Sequence, residues 1–303
     1  MNGIIPLWKP KGMTSHDCVM QLRGILKTKK IGHTGTLDPE VEGVLPITVG
    51  KSTKLTTLIT DRPKTYLAEI SLGKQTKTED HTGDVVDEKE VPQSLTITKC
   101  QETLKRFEGT ITQIPPMYSA VKVNGMKLYE YAREGLEVER PRRDVTIHSN
   151  ELVSDQLVRK APNDVRFSFR VTCSSGTYIR TLCVDIGKEI GFPAYMSHLI
   201  REEAGSFTSD DAVTISELEK AKEHGDFSKY LVNPSKALSF LPLYTANFDE
   251  IIRFKHGQVL PVPSKLKEVE LFRVEDENSE LIALYQKHPN KESLVKPFKV
   301  LQV

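Results

Sequence analysis

Apolar residues recur along this chain at two different periods, and the two never settle into a regular strand–helix–strand rhythm. The segment Lys64–Leu72 alternates, placing Tyr66, Ala68, Ile70 and Leu72 on one face as a strand would, and Arg166–Cys173 alternates again. Helical spacing appears elsewhere. Ser15 or Thr14 caps a predicted helix running through about Leu26, with Val19, Leu22 and Leu26 on one side. Thr98–Phe107 reads as a short helix ending at Gly109, and Thr181–Ile190 as a helix closed by Gly191. Strands and helices in comparable number, without βαβ repetition, predict an α+β fold with mixed strands.

A chain of 303 residues holds one large domain or two smaller ones. The proline-punctuated stretch Asn233–Pro242 opens a second unit. Beyond it Gly257–Pro261, Val269–Val274, Leu281–Tyr285 and Pro297–Val303 read as short strands with almost no helical pattern between them. That pattern predicts a small β-barrel-like module beginning at about residue 240. No apolar run approaches the roughly 18–20 residues that span a bilayer, and the opening MNGIIPLWKPKGM is not a signal peptide, so a cytoplasmic protein is expected. The four cysteines form no CxxC pair and the eight histidines no HExxH, which points to free thiols and no tightly held metal.

Net charge is +1, a balance that argues against a generally basic nucleic-acid binder. The distribution is uneven, however. Residues 1–66 carry ten Lys/Arg against five Asp/Glu, and residues 77–90 carry six Asp/Glu against two Lys. Screening confines each charge to its neighbourhood, so a local basic face serves RNA while the sum stays near zero. The acidic stretch Glu79–Glu90 is expected to face solvent.

Gly50-Lys51-Ser52 imitates the end of a phosphate-binding loop, but the first glycine of that pattern would fall on Leu45, which excludes a nucleotide-binding reading. The stretch Gly32-His33-Thr34-Gly35-Thr36-Leu37-Asp38-Pro39-Glu40-Val41-Glu42-Gly43 is more informative. Pro39 biases Asp38 toward extended backbone, while Gly35 and Gly43 free the chain on either side. Such a loop presents a carboxylate to a ligand; the plainer alternative is an Asp-Pro turn. Further on, Ser174-Ser175-Gly176-Thr177-Tyr178-Ile179-Arg180 joins a strand to a helix. Extended there, Tyr178 and Arg180 would point the same way, and an arginine beside a carboxylate holds it ionised. A surface ion pair for Arg180 and a core-edge place for Tyr178 are equally open on this evidence.

The run Gly32–Pro39 followed by Gly43 closely resembles the signature of the TruB family of tRNA pseudouridine-55 synthases. Further motifs follow in the family's order. Lys9-Pro10-Lys11-Gly12 resembles its opening motif and Lys64-Thr65-Tyr66 its stacking-tyrosine strand. Ile114–Ala120 through Tyr129–Arg133 resembles its RNA-gripping insertion, here about residues 112–140. Ser175–Leu182 and Leu199-Ile200-Arg201 complete the catalytic set, and the tail from about Phe248 resembles a PUA module.

The resemblance implies a pseudouridine-synthase catalytic domain over residues 1–239, with a central mixed, mainly antiparallel sheet flanked by helices, and a PUA-like RNA-binding domain over 240–303. It implies isomerisation of uridine 55 in the tRNA T-stem-loop, with base flipping and neither cofactor nor metal. By resemblance Asp38 is the catalytic nucleophile, Tyr66 stacks on the flipped uracil, and Arg180 pairs with Asp38. Tyr178 and Leu199 line the pocket, His33 contacts the displaced loop, and Lys9 and Pro10 belong to the substrate-binding set. Lys9, Lys11, Lys27, Lys29, Lys30, Lys51 and Lys54 are candidates for phosphate contact, against a default of solvated charge. Lys287, His288, Lys291 and Lys296 could touch an RNA end. A monomer with no membrane and no obligatory protein partner is expected.

Within the signature, Thr36 and the acidic Glu40 and Glu42 are departures, and the negative charge of the two glutamates costs RNA affinity unless it faces away. Two alternatives differ in substrate or class: a guide-RNA-dependent synthase of ribosomal RNA, and an RNA-binding or tRNA-folding protein with secondary catalysis.

Overall fold

The computed structural model describes residues 1–301. It is α+β, as the mixed periodicities predict. The chain forms two compact units, one of residues 1–62 with 203–303 and one of residues 63–202. Among the described residues no helix is long and apolar enough to cross a membrane.

In the first unit the strand Gly3–Lys9 pairs antiparallel with Glu42–Val49 along its full length, from Gly3 opposite Val49 to Lys9 opposite Gly43. Ile31–His33 pairs with the other end of Glu42–Val49, placing His33 opposite Ile47. The helix Ser15–Leu26 forms where expected. The Thr14 hydroxyl accepts from the Asp17 amide at 3.0 Å while the Asp17 carboxylate accepts from the Thr14 amide at 2.9 Å, a reciprocal cap. Its apolar face, Cys18, Val19, Leu22, Ile25 and Leu26, packs with Ile5, Leu7, Leu45 and Ile47 of the strands. Gly50–Leu55 is a 3-10 helix, not a phosphate loop.

The C-terminal residues of this unit build a five-stranded sheet in the order Leu243–Thr245, Leu271–Glu275, Leu281–His288, Lys291–Val300, Leu260–Pro261. The first pair is parallel and the rest antiparallel. Its own core gathers Phe254, Phe272, Ile282, Tyr285 and Val295. Another cluster joins Leu281, Leu284 and Leu301 to Ile4, Val44, Leu55, Ala237 and Leu238, so the tail shares buried apolar surface with the N-terminal strands. The Lys54 ammonium also donates to the Val300 carbonyl at 2.7 Å. The end of the predicted strand Pro297–Val303 lies partly outside the described residues.

One expectation for the tail fails. Phe248–Lys255 is a helix, capped by Asn247, whose side-chain oxygen accepts from the Glu250 amide at 3.0 Å. Its apolar residues do not share one buried face: Phe254 is 3% exposed whereas Phe248 is 79% exposed. The helical spacing of Phe248, Ile251 and Ile252 is nonetheless present in the sequence, so a strand-only reading of the tail overlooks it.

Five strands, of which only the last two residues of the first lie outside the second unit, follow the order Ala194–Ala204, Lys64–Leu72, Asp164–Cys173, Arg143–Leu152, Gly109–Gln113. Lys64–Leu72 has the predicted bounds. Along Asp164–Cys173 every second residue is buried, Val165, Phe167, Phe169, Val171 and Cys173. The helices Ile97–Arg106 and Ile179–Ile190 belong to this unit, the second closed by Gly191 at φ 108. All four cysteines are buried free thiols.

Candidate active site

Asp38 sits in the turn between Ile31–His33 and Glu42–Val49, and the backbone on both sides of it is fixed. Before it, the Ser15 hydroxyl accepts from the Leu37 amide at 2.9 Å and lies 3.3 Å from the Leu37 carbonyl. After it, the Pro39 carbonyl accepts from the Gly12 amide at 2.9 Å and from the Lys9 ammonium at 3.1 Å. Leu37 and Val41 are buried and anchor the turn, while Asp38 itself is half-buried. Gly35 and Gly43 adopt φ 112 and 129, conformations that L side chains disfavour, so both glycines are required by the turn. Glu40 is exposed.

Lys9 is fully buried, with Nζ 2.8 Å from the Pro10 carbonyl, 2.6 Å from that of Met13 and 3.1 Å from that of Pro39. An ammonium spent on backbone carbonyls inside the protein does not meet a phosphate at the surface, so Lys9 differs from the exposed Lys11, Lys27 and Lys51. Its geometry is that of a brace between the Lys9–Met13 turn, with Pro10 in it, and the residue that follows Asp38.

In the second unit Tyr66 lies in mid-strand opposite Val171, with 9% of its surface exposed. Leu199, on Ala194–Ala204, is also nearly buried. Tyr178 precedes the helix Ile179–Ile190, and the Gln113 side chain holds its backbone from both sides. The Tyr178 amide donates to the Gln113 amide oxygen at 3.0 Å, and the Gln113 nitrogen donates to the Tyr178 carbonyl at 3.2 Å. Arg180 is helical rather than extended, so the expectation that it shares a side with Tyr178 through strand geometry does not apply. Arg180 is 5% exposed, and its guanidinium donates to the Thr78 carbonyl at 3.0 Å and the Tyr118 carbonyl at 2.8 Å. Tyr118 belongs to the insertion, where Lys122–Val123 and Met126–Lys127 form a hairpin around Asn124-Gly125, both at positive φ.

Sequence reasoning misses Gln113 and Glu79. Glu79 is expected in solvent, but its carboxylate accepts from the Thr181 hydroxyl at 2.7 Å. Burial pushes its carboxyl above the usual range, opposed by the Thr181 hydrogen bond and by Arg180 and Arg140. Its signal is at most an acidic side chain next to the turn residues Asp80-His81-Thr82-Gly83. Asp84–Glu90 are largely exposed, as expected.

In the tail, Lys287, His288 and Lys296 line a cavity of about 860 Å³ together with Glu268, Glu270 and Glu292. Lys287 pairs with Glu270 at 2.8 Å, which lowers the positive charge offered there. Among the described residues no three His, Cys, Asp or Glu side chains cluster as metal ligands would.

Comparison with known proteins gives concordant results. The family model for the TruB family pseudouridylate synthase N-terminal domain matches residues 23–179, and that for the tRNA pseudouridylate synthase B C-terminal domain matches residues 180–237. The tRNA pseudouridine synthase B of Bacillus pumilus is 49% identical over 304 residues, covering 99% of this chain and 98% of the relative. That of Bacillus licheniformis is 50% identical over 306 residues, covering 99% and 97%. Among solved structures, a chain from the crystal structure of a Cbf5-Nop10-Gar1 complex superposes with a TM-score of 0.72 at 30% identity, covering 99% of this chain and 85% of that one.

Proposed function

The chain belongs to the TruB family of pseudouridylate synthases, and we infer from this that it isomerises a uridine of tRNA to pseudouridine. The observation that carries the reading is identity of about half over nearly the whole length of tRNA pseudouridine synthase B relatives. The target is uridine 55 of the T-loop, by resemblance of the Gly32–Gly43 signature.

In this reaction the N1–C1′ bond breaks, the uracil turns, C5 bonds to C1′, the C5 proton leaves to water, and the freed N1 takes up a proton. A stacked base is first extruded from the loop. Asp38 is the group that acts on the nucleotide, since a carboxylate attacks as a nucleophile or stabilises positive charge at the sugar. The bracing of Leu37 by Ser15 and of Pro39 by Lys9 supports that role, because a reacting group needs a fixed backbone. Tyr66 supplies the stacking surface, worth about 1–3 kcal/mol against the cost of unstacking. By resemblance Arg180 is the cationic partner of Asp38, Tyr178 and Leu199 line the pocket, and His33 meets the displaced part of the loop. Lys9 and Pro10 act through the loop they brace.

By resemblance residues 1–239 act as the catalytic domain and 240–303 as a PUA-like module, a division by role that does not coincide with the two compact units of the fold. The protein acts in the cytoplasm as a monomer, without cofactor.

A bare tRNA transcript incubated with the protein alone, then digested to nucleosides, tests the reading. Pseudouridine at position 55 supports it. Product formed only when a second RNA is supplied favours a guide-dependent reading. Tight binding with no product in either case leaves an RNA-binding protein.

A further inference from the structure

Two consecutive residues of one turn grip two consecutive residues of a helix in the second unit. The Thr78 carbonyl accepts from the Arg180 guanidinium at 3.0 Å, and the next residue, Glu79, accepts through its carboxylate from the Thr181 hydroxyl at 2.7 Å. Arg180 and Thr181 stand in the first turn of Ile179–Ile190, where backbone amides lack helical partners and favour a carboxylate nearby.

The turn is itself held. The Glu79 amide donates to the Thr76 carbonyl at 3.1 Å, and the Met196 amide donates to the Glu79 carbonyl at 3.0 Å. Asp80 ties the turn internally, accepting at Oδ1 from the Thr78 hydroxyl at 2.7 Å and the Thr82 amide at 2.9 Å. Glu79 adopts φ 65, a conformation that suits glycine or asparagine better than glutamate. A long acidic side chain at such a position is explained by where it reaches rather than by what the backbone prefers.

We propose that Glu79 is a positioning residue for Arg180, its latch on Thr181 fixing the turn whose Thr78 carbonyl holds the guanidinium. The proposal rests on the reading of Arg180 as part of a pseudouridine synthase site. The charged groups around the carboxylate are Arg180 and Asp185 of the helix and Arg140 of the insertion. Without the latch, the guanidinium keeps the Tyr118 carbonyl but loses a fixed second anchor.

The test is a single-turnover measurement of pseudouridine formation on a tRNA transcript with enzyme in excess, alongside tRNA affinity and thermal melting. Glu79→Asn tolerates φ 65 but is too short to reach Thr181, and Thr181→Val removes the hydroxyl at nearly constant volume. Each is expected to slow the reaction about tenfold, the scale of a lost hydrogen bond to a charged group, with affinity within about twofold of wild type. The double variant is no slower than either single one, because one interaction is removed in all three. Glu79→Gln, which keeps an oxygen acceptor, restores most of the rate. On an Arg180→Lys background Glu79→Asn costs nothing further. A Glu79→Asn protein as fast as wild type, or multiplying losses in the double variant, overturns the proposal.

If the wild-type protein makes no pseudouridine, the functional reading fails instead. Amide hydrogen exchange of residues 77–82 and 179–183 in the RNA-free protein then decides the latch alone: faster exchange in Glu79→Asn supports it, and unchanged exchange overturns it.

Discussion

The buried ammonium of Lys9 lies 3.1 Å from the carbonyl oxygen of Pro39, the residue that directly follows Asp38. This contact joins the N-terminal strand to the turn that displays the carboxylate, across thirty residues of sequence. A lysine brings three donors to one point, and here they meet the carbonyls of Pro10, Met13 and Pro39.

Lys9→Met keeps the aliphatic stem and removes those donors. It is expected to lower stability by about 2–4 kcal/mol in urea unfolding, as breaking a buried polar network does. Catalysis should fall with it, while tRNA affinity changes little. A large affinity loss at unchanged stability would instead place Lys9 on the RNA surface.

Tyr66 is proposed as the stacking platform. Tyr66→Leu should lower the single-turnover rate by about 10–100-fold, equivalent to the loss of about 1–3 kcal/mol of stacking. Tyr66→Phe keeps the ring and should bind tRNA as wild type does. Equal rates for Tyr66→Leu and wild type would remove Tyr66 from the site.

Leu284 is fully buried in the cluster that links the C-terminal sheet to Ile4, Val44 and Leu55. Leu284→Ala should cost about 2–5 kcal/mol through the cavity it leaves. The loss should appear in a transition monitored from the N-terminal strands as well as from the tail. A destabilisation confined to the tail would contradict the shared core.

Burial pushes the Cys100 thiol up to about 12 and the Cys173 thiol up to about 11, in each case because the thiolate is desolvated. A folded pKa raised above the ordinary value of 9.0 stabilises the fold fully below that pH, and the contribution is lost as pH rises toward the folded values. The urea midpoint should therefore fall between about pH 9 and 11, and native protein at neutral pH should resist thiol reagents until it unfolds. A midpoint flat across that range would contradict the burial of these thiols.

Legibility from sequence follows the physics of each feature. The helix Ser15–Leu26 and the strand Lys64–Leu72 can be read because one face of each is buried and the periodicity survives in the residue types. Phe248–Lys255 is legible in principle, since Phe248, Ile251 and Ile252 stand at i, i+3 and i+4, but the short strand-like runs that follow dominate the pattern of the tail. Asp38 can be placed on a presented loop by Pro39 and the flanking glycines, but the brace from Lys9 cannot, since a lysine is by default solvated. Arg180 reads as extended when the helix start is placed at Thr181, whereas Gln113 holds the Tyr178 backbone and the helix opens at Ile179. Glu79 is hidden in an acidic run, where composition says nothing of the one side chain that a left-handed residue turns inward.

The role proposed for Asp38 is to carry out uridine isomerisation in tRNA. The most direct test supplies a tRNA transcript tritiated at C5 of its uridines to wild-type and Asp38→Asn protein, and counts tritium released to water. Wild type is expected to release about one equivalent per tRNA, since one base is flipped and rearranged. Asp38→Asn is expected to release none despite retained, salt-sensitive binding, and wild type none when the T-loop uridine is replaced. Release by Asp38→Asn at the wild-type rate would contradict the account.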